Sequence, residues 1–174
     1  KEAILAGADT IEHASLIDAE AIALAREHDV ALSMDVYNGD YIDTEGRAQG
    51  WLAEFLRKNI ETTEAQRQGF SAAHAAGVPI VYGTDAAVYP HGLNARQFPI
   101  MVERGMTPMQ AIQAATRVGA ELLGWEDRIG TVEPGKLADL VAVPGDPLAD
   151  LGLLAHPSFV MVGGRRVPLD LARH

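Results

Sequence analysis

The sequence has no cysteine and no apolar run near the ~20 residues that cross a membrane. Without cysteine, the chain has no disulfide framework and no thiolate nucleophile. Basic residues are few: 14 Lys and Arg against 24 Asp and Glu give a net charge of −10. This argues against a nucleic-acid binder, which needs a basic face. The first residues also lack the pattern of a signal peptide, so we expect a cytoplasmic protein without nucleic-acid or membrane partners.

About half of the 174 residues are apolar (48%), enough for a domain with a buried core. Short apolar segments with strand character alternate with helical segments over residues 1–125. This alternation predicts an α/β protein with a parallel sheet. The chain is expected to begin with the end of a helix closed by Gly7. The expected strands are residues 9–14, 30–37 and 78–86; the further expected helices are 18–29, 51–76, 94–105 and 107–124, with a Gly- and Asp-containing loop over 38–50.

The sequence changes character after residue 125. The segments "RIGTVEPGKLADLVAVPGDP" and "SFVMVGGRRVPL" contain short strands and Gly/Pro turns, so residues 126–174 are expected to form a small β segment. Residues 1–125 supply only three strands of barrel type, whereas a closed parallel barrel needs eight. Because open sheet edges are unfavourable, we expect the chain to be the C-terminal part of a larger fold.

His13 ends the first expected strand, "DTIEHA". Side chains alternate along a strand, so His13 shares one face with Ile11. Parallel barrels place catalytic groups at this end of their strands, and a neutral imidazole there can bind a metal. The alternative is a hydrogen-bonded structural histidine, which His13 taken alone favours.

Asp85 has the corresponding position in the third expected strand, "VPIVYGTDA". Val81, Gly83 and Asp85 share one face, and Gly83 is expected to leave room for a ligand or water below the carboxylate. A turn or a helix cap explains Asp85 equally well when the residue is considered alone.

Two further residues are candidate substrate contacts. Alternate residues of "LSMDVY" (32–37) form an apolar face and a polar face, and Tyr37 ends the polar one. If the apolar face meets the helices, the polar face points into a barrel and Tyr37 reaches its rim. The loop "VYPHGLN" carries His91, and loops after barrel strands commonly contact substrate. The alternatives are a partly exposed strand and an ordinary surface loop.

Four motifs then occur in a characteristic order: "TIEHA", "GTDAAVYPHG", "GMTPMQAIQAAT" and "IGTVEPGKLADLVAVPGDP". In this order and spacing the chain resembles the amidohydrolase superfamily. Within it, the chain is most similar to the imidazolonepropionase-like group, which includes metal-dependent Xaa-Pro dipeptidases and related carboxypeptidases. The resemblance covers essentially the whole chain, and "GTVEPGKLADLV" is specific to the superfamily's C-terminal β-sandwich.

The resemblance implies a (β/α)8 TIM barrel that holds one or two divalent metal ions, usually zinc. His13 matches the metal-binding histidine of barrel strand 6, and Asp85 matches the aspartate of strand 8. The three expected strands would then be strands 6 to 8, within residues 1–125, and residues 126–174 would be a segment of the β-sandwich. Relatives often assemble, so a homo-oligomer is expected.

The family's other metal ligands are not found in this sequence. There is no HxH pair of strand 1, no bridging lysine of strand 4 and no histidine of strand 5. Catalytic zinc typically has three protein ligands and an open position. Two ligands are too few, so we expect this chain to be inactive without the N-terminal half of the barrel.

These observations leave competing functions. The first is a metal-dependent hydrolase of small peptides or N-acyl amino acids, in which Asp85 binds metal and transfers protons and Tyr37 and His91 contact the substrate. The second is a truncated half-barrel without activity that serves in assembly or as a scaffold. A barrel that binds phosphate through its late loops is a third, but "AAVYPHG" is not a Gly-rich phosphate loop.

Overall fold

The computed structural model describes residues 1–169. Residues 170–174, the end of the predicted C-terminal β segment, lie outside the described part. The α-helices of the described residues are α1 (Glu2–Leu5), α2 (Ala19–Glu27), α3 (Asn38–Ala48), α4 (Ala53–Ala75), α5 (Gln97–Glu103), α6 (Pro108–Ala114) and α7 (Arg117–Leu122). The strands are β1 (Thr10–Glu12), β2 (Ala31–Ser33), β3 (Ile80–Val81), β4 (Leu140–Ala142), β5 (Phe159–Val162) and β6 (Arg165–Arg166). Two 3₁₀ helices span Asn94–Arg96 and Leu151–Ala155.

The first three strands form a parallel sheet in the order β1-β2-β3. Thr10 pairs with Ala31, and Leu32 pairs with Ile80. Helix α2 connects β1 to β2, and helices α3 and α4 connect β2 to β3. The prediction of an α/β fold with a parallel sheet is confirmed. Because parallel strands end at the same edge, the residues that follow the three strands lie near one another.

The core lies between this sheet and the helices. Leu32, Met34 and Val36 are fully buried, so the apolar residues of the second expected strand do form a buried face. The helices contribute other side chains to the same buried cluster, among them Phe70 of α4, Met101 of α5 and Ala111 of α6. The buried face directs the polar residues of this segment elsewhere, which matters for the site described below.

The expected loop over residues 38–50 is wrong, because most of it forms helix α3. Glycine lowers helix propensity, which made this stretch look irregular in sequence. In the structure its glycines allow close packing. A Cβ on Gly39 would overlap the side chain of Thr63 in α4, and one on Gly46 would lie 2.7 Å from Leu56. Packing of α3 against α4 therefore outweighs the low propensity.

The last predicted helix, 107–124, has the expected start and an unexpected break. Thr107 and Gln110 form the capping box: the Gln110 backbone N–H donates to the Thr107 hydroxyl, and the Thr107 backbone N–H donates to the Gln110 side chain. The helix then divides into α6 and α7, because Thr116 leaves the helical region with φ −131° and ψ −89°. A break of this kind has no Gly or Pro signal in the sequence.

Strands β4, β5 and β6 form a separate antiparallel sheet. Val141 pairs with Val160, and Val162 pairs with Arg165. Short strands therefore occur where the sequence predicted them. Assignment of this sheet to a β-sandwich, and a domain boundary at residue 125, stay predictions.

Helix α4 is the longest described helix, with 23 residues, and charged side chains occur along its length. Across residues 1–169, no helix is both long enough and apolar enough to cross a bilayer.

Candidate functional site

Two residues that follow the parallel strands have an unusual backbone. His13, directly after β1, has φ 64°, and Asp85, four residues after β3, has φ 49°. This left-handed region is uncommon for residues other than glycine and tends to occur at functional sites. The backbone N–H of His13 donates to the Ser33 carbonyl at 2.8 Å. Because β1 ends at Glu12 and His13 has a left-handed φ, strand alternation ends before His13, and the expectation that it shares a strand face with Ile11 does not apply.

The structure brings His13 and Asp85 together, as the sequence suggested, and adds Asp35. Each of these three residues offers one ligand atom, and the three atoms lie within 4.8 Å of one another. Asp35 follows β2, so each strand of the parallel sheet contributes one residue from beyond its carboxyl end. We call His13, Asp35 and Asp85 the strand-end cluster.

Asp35 is the most enclosed member of the strand-end cluster, with 7% of its surface exposed. Its Oδ1 is 3.1 Å from Nδ1 of His13 and accepts from Nε2 of Gln66 at 2.7 Å. Its Oδ2 accepts from the Asn38 amide. The same Asn38 amide also donates to Oδ2 of Asp85 at 3.3 Å, so Asn38 links the two carboxylates.

Gln66 links the cluster to the main chain. Besides its bond to Asp35, its amide donates to the backbone carbonyl of His13 at 3.0 Å. Gln66 lies on α4 and is buried, and Asn38 is the first residue of α3 and is buried as well. Sequence reasoning missed both residues: Gln66 lies in an expected helix and Asn38 in an expected loop, and an amide side chain in either carries no signal of its own.

The surroundings of His13 in the cluster shift its pKa. The hydrogen bond to Asp35 raises the pKa of His13 above its ordinary value, and the negative charges of Asp35 and Asp85 act in the same direction, while partial burial opposes them. A metal ion that binds this imidazole must displace a proton, so its binding depends on pH.

This shift predicts a pH-dependent stability in metal-free protein. A pKa raised in the folded state stabilises fully below the unfolded pKa of about 6.5, and this stabilisation is lost as pH rises through the folded pKa. We expect His13→Gln to lower the free energy of unfolding more at pH 5.5 than at pH 8.5. Urea titrations in the presence of a chelator measure the difference, with exposed His156→Gln as control. A loss of unfolding free energy in His13→Gln that grows with pH would contradict the raised pKa of His13.

The predicted substrate contacts lie apart from these hydrogen bonds. Tyr37 is nearly buried, its ring packs edge-on against Tyr89 with centroids 5.1 Å apart, and its hydroxyl accepts from Nη1 of Arg96 at 3.0 Å. His91 is exposed in the loop after β3. The structure thus places Tyr37 two residues beyond Asp35 and gives it a cationic neighbour that the sequence did not single out.

The space expected beside Gly83 is filled. A Cβ on Gly83 would overlap Oγ of Ser33 on the neighbouring strand. The glycine permits close contact between the strand ends, so the expectation of room for a ligand at this point is wrong.

The donor set of the strand-end cluster suits a divalent metal. It combines one imidazole with two carboxylates, ligand types that zinc accepts at about 2.0–2.2 Å. The described residues could therefore hold such an ion, and the chemistry of the donors alone does not identify which metal.

Comparison with known proteins gives a consistent result. The model of the Amidohydrolase family matches residues 1–167. Ochratoxinase from Aspergillus niger is 32% identical over 160 residues, which are 91% of this chain and 33% of that protein. A solved Xaa-Pro dipeptidase with bound methionine in its active site has a TM-score of 0.87 and 38% identity, covering 95% of this chain and 41% of that chain. A prolidase complexed with N-methylphosphonate-L-proline has a TM-score of 0.85 and 28% identity, over 95% of this chain and 41% of that one.

The predicted resemblance to the amidohydrolases and their Xaa-Pro dipeptidases is confirmed. The chain spans only a third to two fifths of the length of these relatives.

Proposed function

Since this chain belongs to the amidohydrolase family, we propose that it is the C-terminal part of a metal-dependent amide hydrolase. One observation supports this proposal most: His13 and Asp85, separated by 72 positions in sequence, present ligand atoms to a common point beyond the ends of parallel strands. The carboxyl ends of strands are where parallel α/β barrels form their active sites.

In this proposal β1, β2 and β3 are strands 6 to 8 of a (β/α)8 barrel, and residues 126–174 are a segment of a β-sandwich. The sheet has two open edges, at β1 and β3. The missing N-terminal half of the barrel would pair with both edges and provide the other ligands. The limited share of each relative that the chain covers supports this arrangement.

His13 and Asp85 would hold one or two divalent ions, zinc being our choice from the resemblance. When bound, such an ion lowers the pKa of water towards about 7 and polarises the scissile carbonyl. Asp85 accepts the proton of the attacking water and delivers it to the amide nitrogen, which leaves poorly until it is protonated. His13 would bind the ion through its neutral imidazole, which the bond to Asp35 orients.

We propose a small amide as substrate, either a dipeptide or an N-acyl amino acid. The ligands of the two related structures, methionine and a phosphonate derivative of proline, support this class. Tyr37 and His91 would contact the substrate. Arg96, which donates to the Tyr37 hydroxyl, would bring a positive charge close to Tyr37, as recognition of a substrate carboxylate requires.

The test extends the reading frame upstream of residue 1 and measures bound metal in the longer protein. We expect stoichiometric divalent metal in the natural sequence and a clear loss in His13→Ala, because the variant removes a ligand. His156→Ala, at an exposed position outside the cluster, is the matched control.

Two outcomes would oppose the proposal. Metal content unchanged by His13→Ala would exclude this histidine as a ligand. An authentic start codon directly before Lys1, together with no bound metal, would favour the non-catalytic half-barrel that serves as an assembly or scaffold piece.

A further inference from the structure

Asp35 differs from the other members of the strand-end cluster in its surroundings. It is buried, whereas His13 and Asp85 are exposed. An exposed group can meet an incoming ion or substrate directly. A buried carboxylate must first satisfy its own oxygens, because an unpaired buried charge is costly.

Both oxygens of Asp35 are already used by side chains of the protein. Oδ1 faces the imidazole and the Gln66 amide, and Oδ2 faces the Asn38 amide. These three donors come from three different segments: the turn after β1, the start of α3 and the middle of α4. Coordination of a metal by Asp35 would compete with these bonds.

The bond to His13 uses Nδ1 of the ring. A neutral imidazole has one N–H and one lone pair, and the hydrogen bond of one nitrogen decides which nitrogen carries the proton. With the proton on Nδ1 and directed to Asp35, Nε2 keeps its lone pair. The tautomer that Asp35 selects is therefore one that can bind metal through Nε2.

We infer that Asp35 is a positioning residue that selects and orients the His13 tautomer, and that it is not itself a metal ligand. Asn38 extends this role, because its amide holds Asp35 and Asp85 in fixed relation. The inference rests on the proposed function, since it presupposes that His13 binds a metal. Carboxylates that hold metal-binding histidines in this way commonly change metal affinity by 10- to 100-fold.

The experiment uses the completed enzyme with Co²⁺ as the probe. We expect Asp35→Asn to weaken Co²⁺ binding by about 10- to 100-fold, as measured by competition with a chromogenic chelator. We also expect the visible spectrum of the saturated variant to keep the band shape of the natural protein, because the ligands stay the same. His13→Ala should change that spectrum.

Asp43→Asn is the matched control, since Asp43 is a carboxylate of α3 that accepts from Arg47 and lies outside the cluster. Gln66→Ala provides a second test in case Asp35→Asn does not fold. It removes one donor and leaves the bond between Asp35 and His13, so its loss of affinity should be smaller than that of Asp35→Asn. If Asp35→Asn does not fold, a less than 10-fold loss in folded Gln66→Ala with an unchanged spectrum supports the inference, and a larger loss overturns it.

Three results would separate the possible failures. A natural protein that binds no Co²⁺ refutes the proposed function itself. Unchanged affinity in folded Asp35→Asn refutes the positioning role while the metal site stands. An altered spectrum in saturated Asp35→Asn shows that Asp35 is a ligand and likewise overturns the inference.

Discussion

Asp85→Asn is expected to lower amide hydrolysis by the completed enzyme by about 10²- to 10⁴-fold, the usual range for loss of a group that transfers protons. Asparagine is nearly the same size, but it neither accepts a proton nor carries the negative charge with which Asp85 would bind the ion. The loss should appear in kcat more than in KM, because the proton moves in the transition state.

A dipeptide with C-terminal proline is the first substrate to use, with kcat and KM measured at saturating zinc. Exposed Asp127→Asn controls for loss of one surface charge and should leave both constants unchanged. Full activity in Asp85→Asn would remove this residue from the catalytic site. Low activity with normal metal content would assign it to proton transfer alone.

Phe70→Ala is expected to lower the free energy of unfolding by about 3–5 kcal/mol. Phe70 is fully buried among the side chains that join α4 to the parallel sheet, so truncation leaves a cavity that the packed surroundings fill only in part. Loss of this packing would also loosen Gln66, which lies one helical turn earlier on α4.

The same helix provides a control, since Phe55 lies near its start with 59% of its surface exposed. Phe55→Ala should change stability by no more than about 0.5 kcal/mol. Urea titrations of both variants give the comparison, with equal slopes required. If Phe55→Ala lowers the free energy of unfolding as much as Phe70→Ala, the start of α4 around Phe55 is buried in the protein in solution.

The parts of the fold that follow from local pattern could be predicted from the sequence. The parallel sheet follows from the alternation of apolar segments with helices, and the buried face of residues 32–36 follows from their spacing. The start of α6 follows from Thr107 and Gln110, which satisfy free N–H groups. His13 and Asp85 could be selected because both follow apolar strands and both match positions of one family.

The rest depends on contacts between distant parts of the chain. The second strand was expected to continue to Tyr37, but β2 ends at Ser33, so Asp35 lies beyond the strand end and not within it. That Asp35 is enclosed by hydrogen bonds is seen only in the structure, where the amides of Asn38 and the distant Gln66 both donate to it. The left-handed backbone of His13 could not be predicted either, because histidine adopts this conformation more often than most residues but still only in a minority of cases.

The close packing of α3 on α4 has a consequence for mutational sensitivity. Gly39, where any larger side chain would collide with Thr63, directly follows Asn38, whose amide links the two carboxylates. Enlarging this glycine would push the first turn of α3 away from α4 and displace that amide. Position 39 therefore couples a helix contact to the chemistry of the site, and libraries that vary residues 38–50 to change specificity should keep this glycine constant.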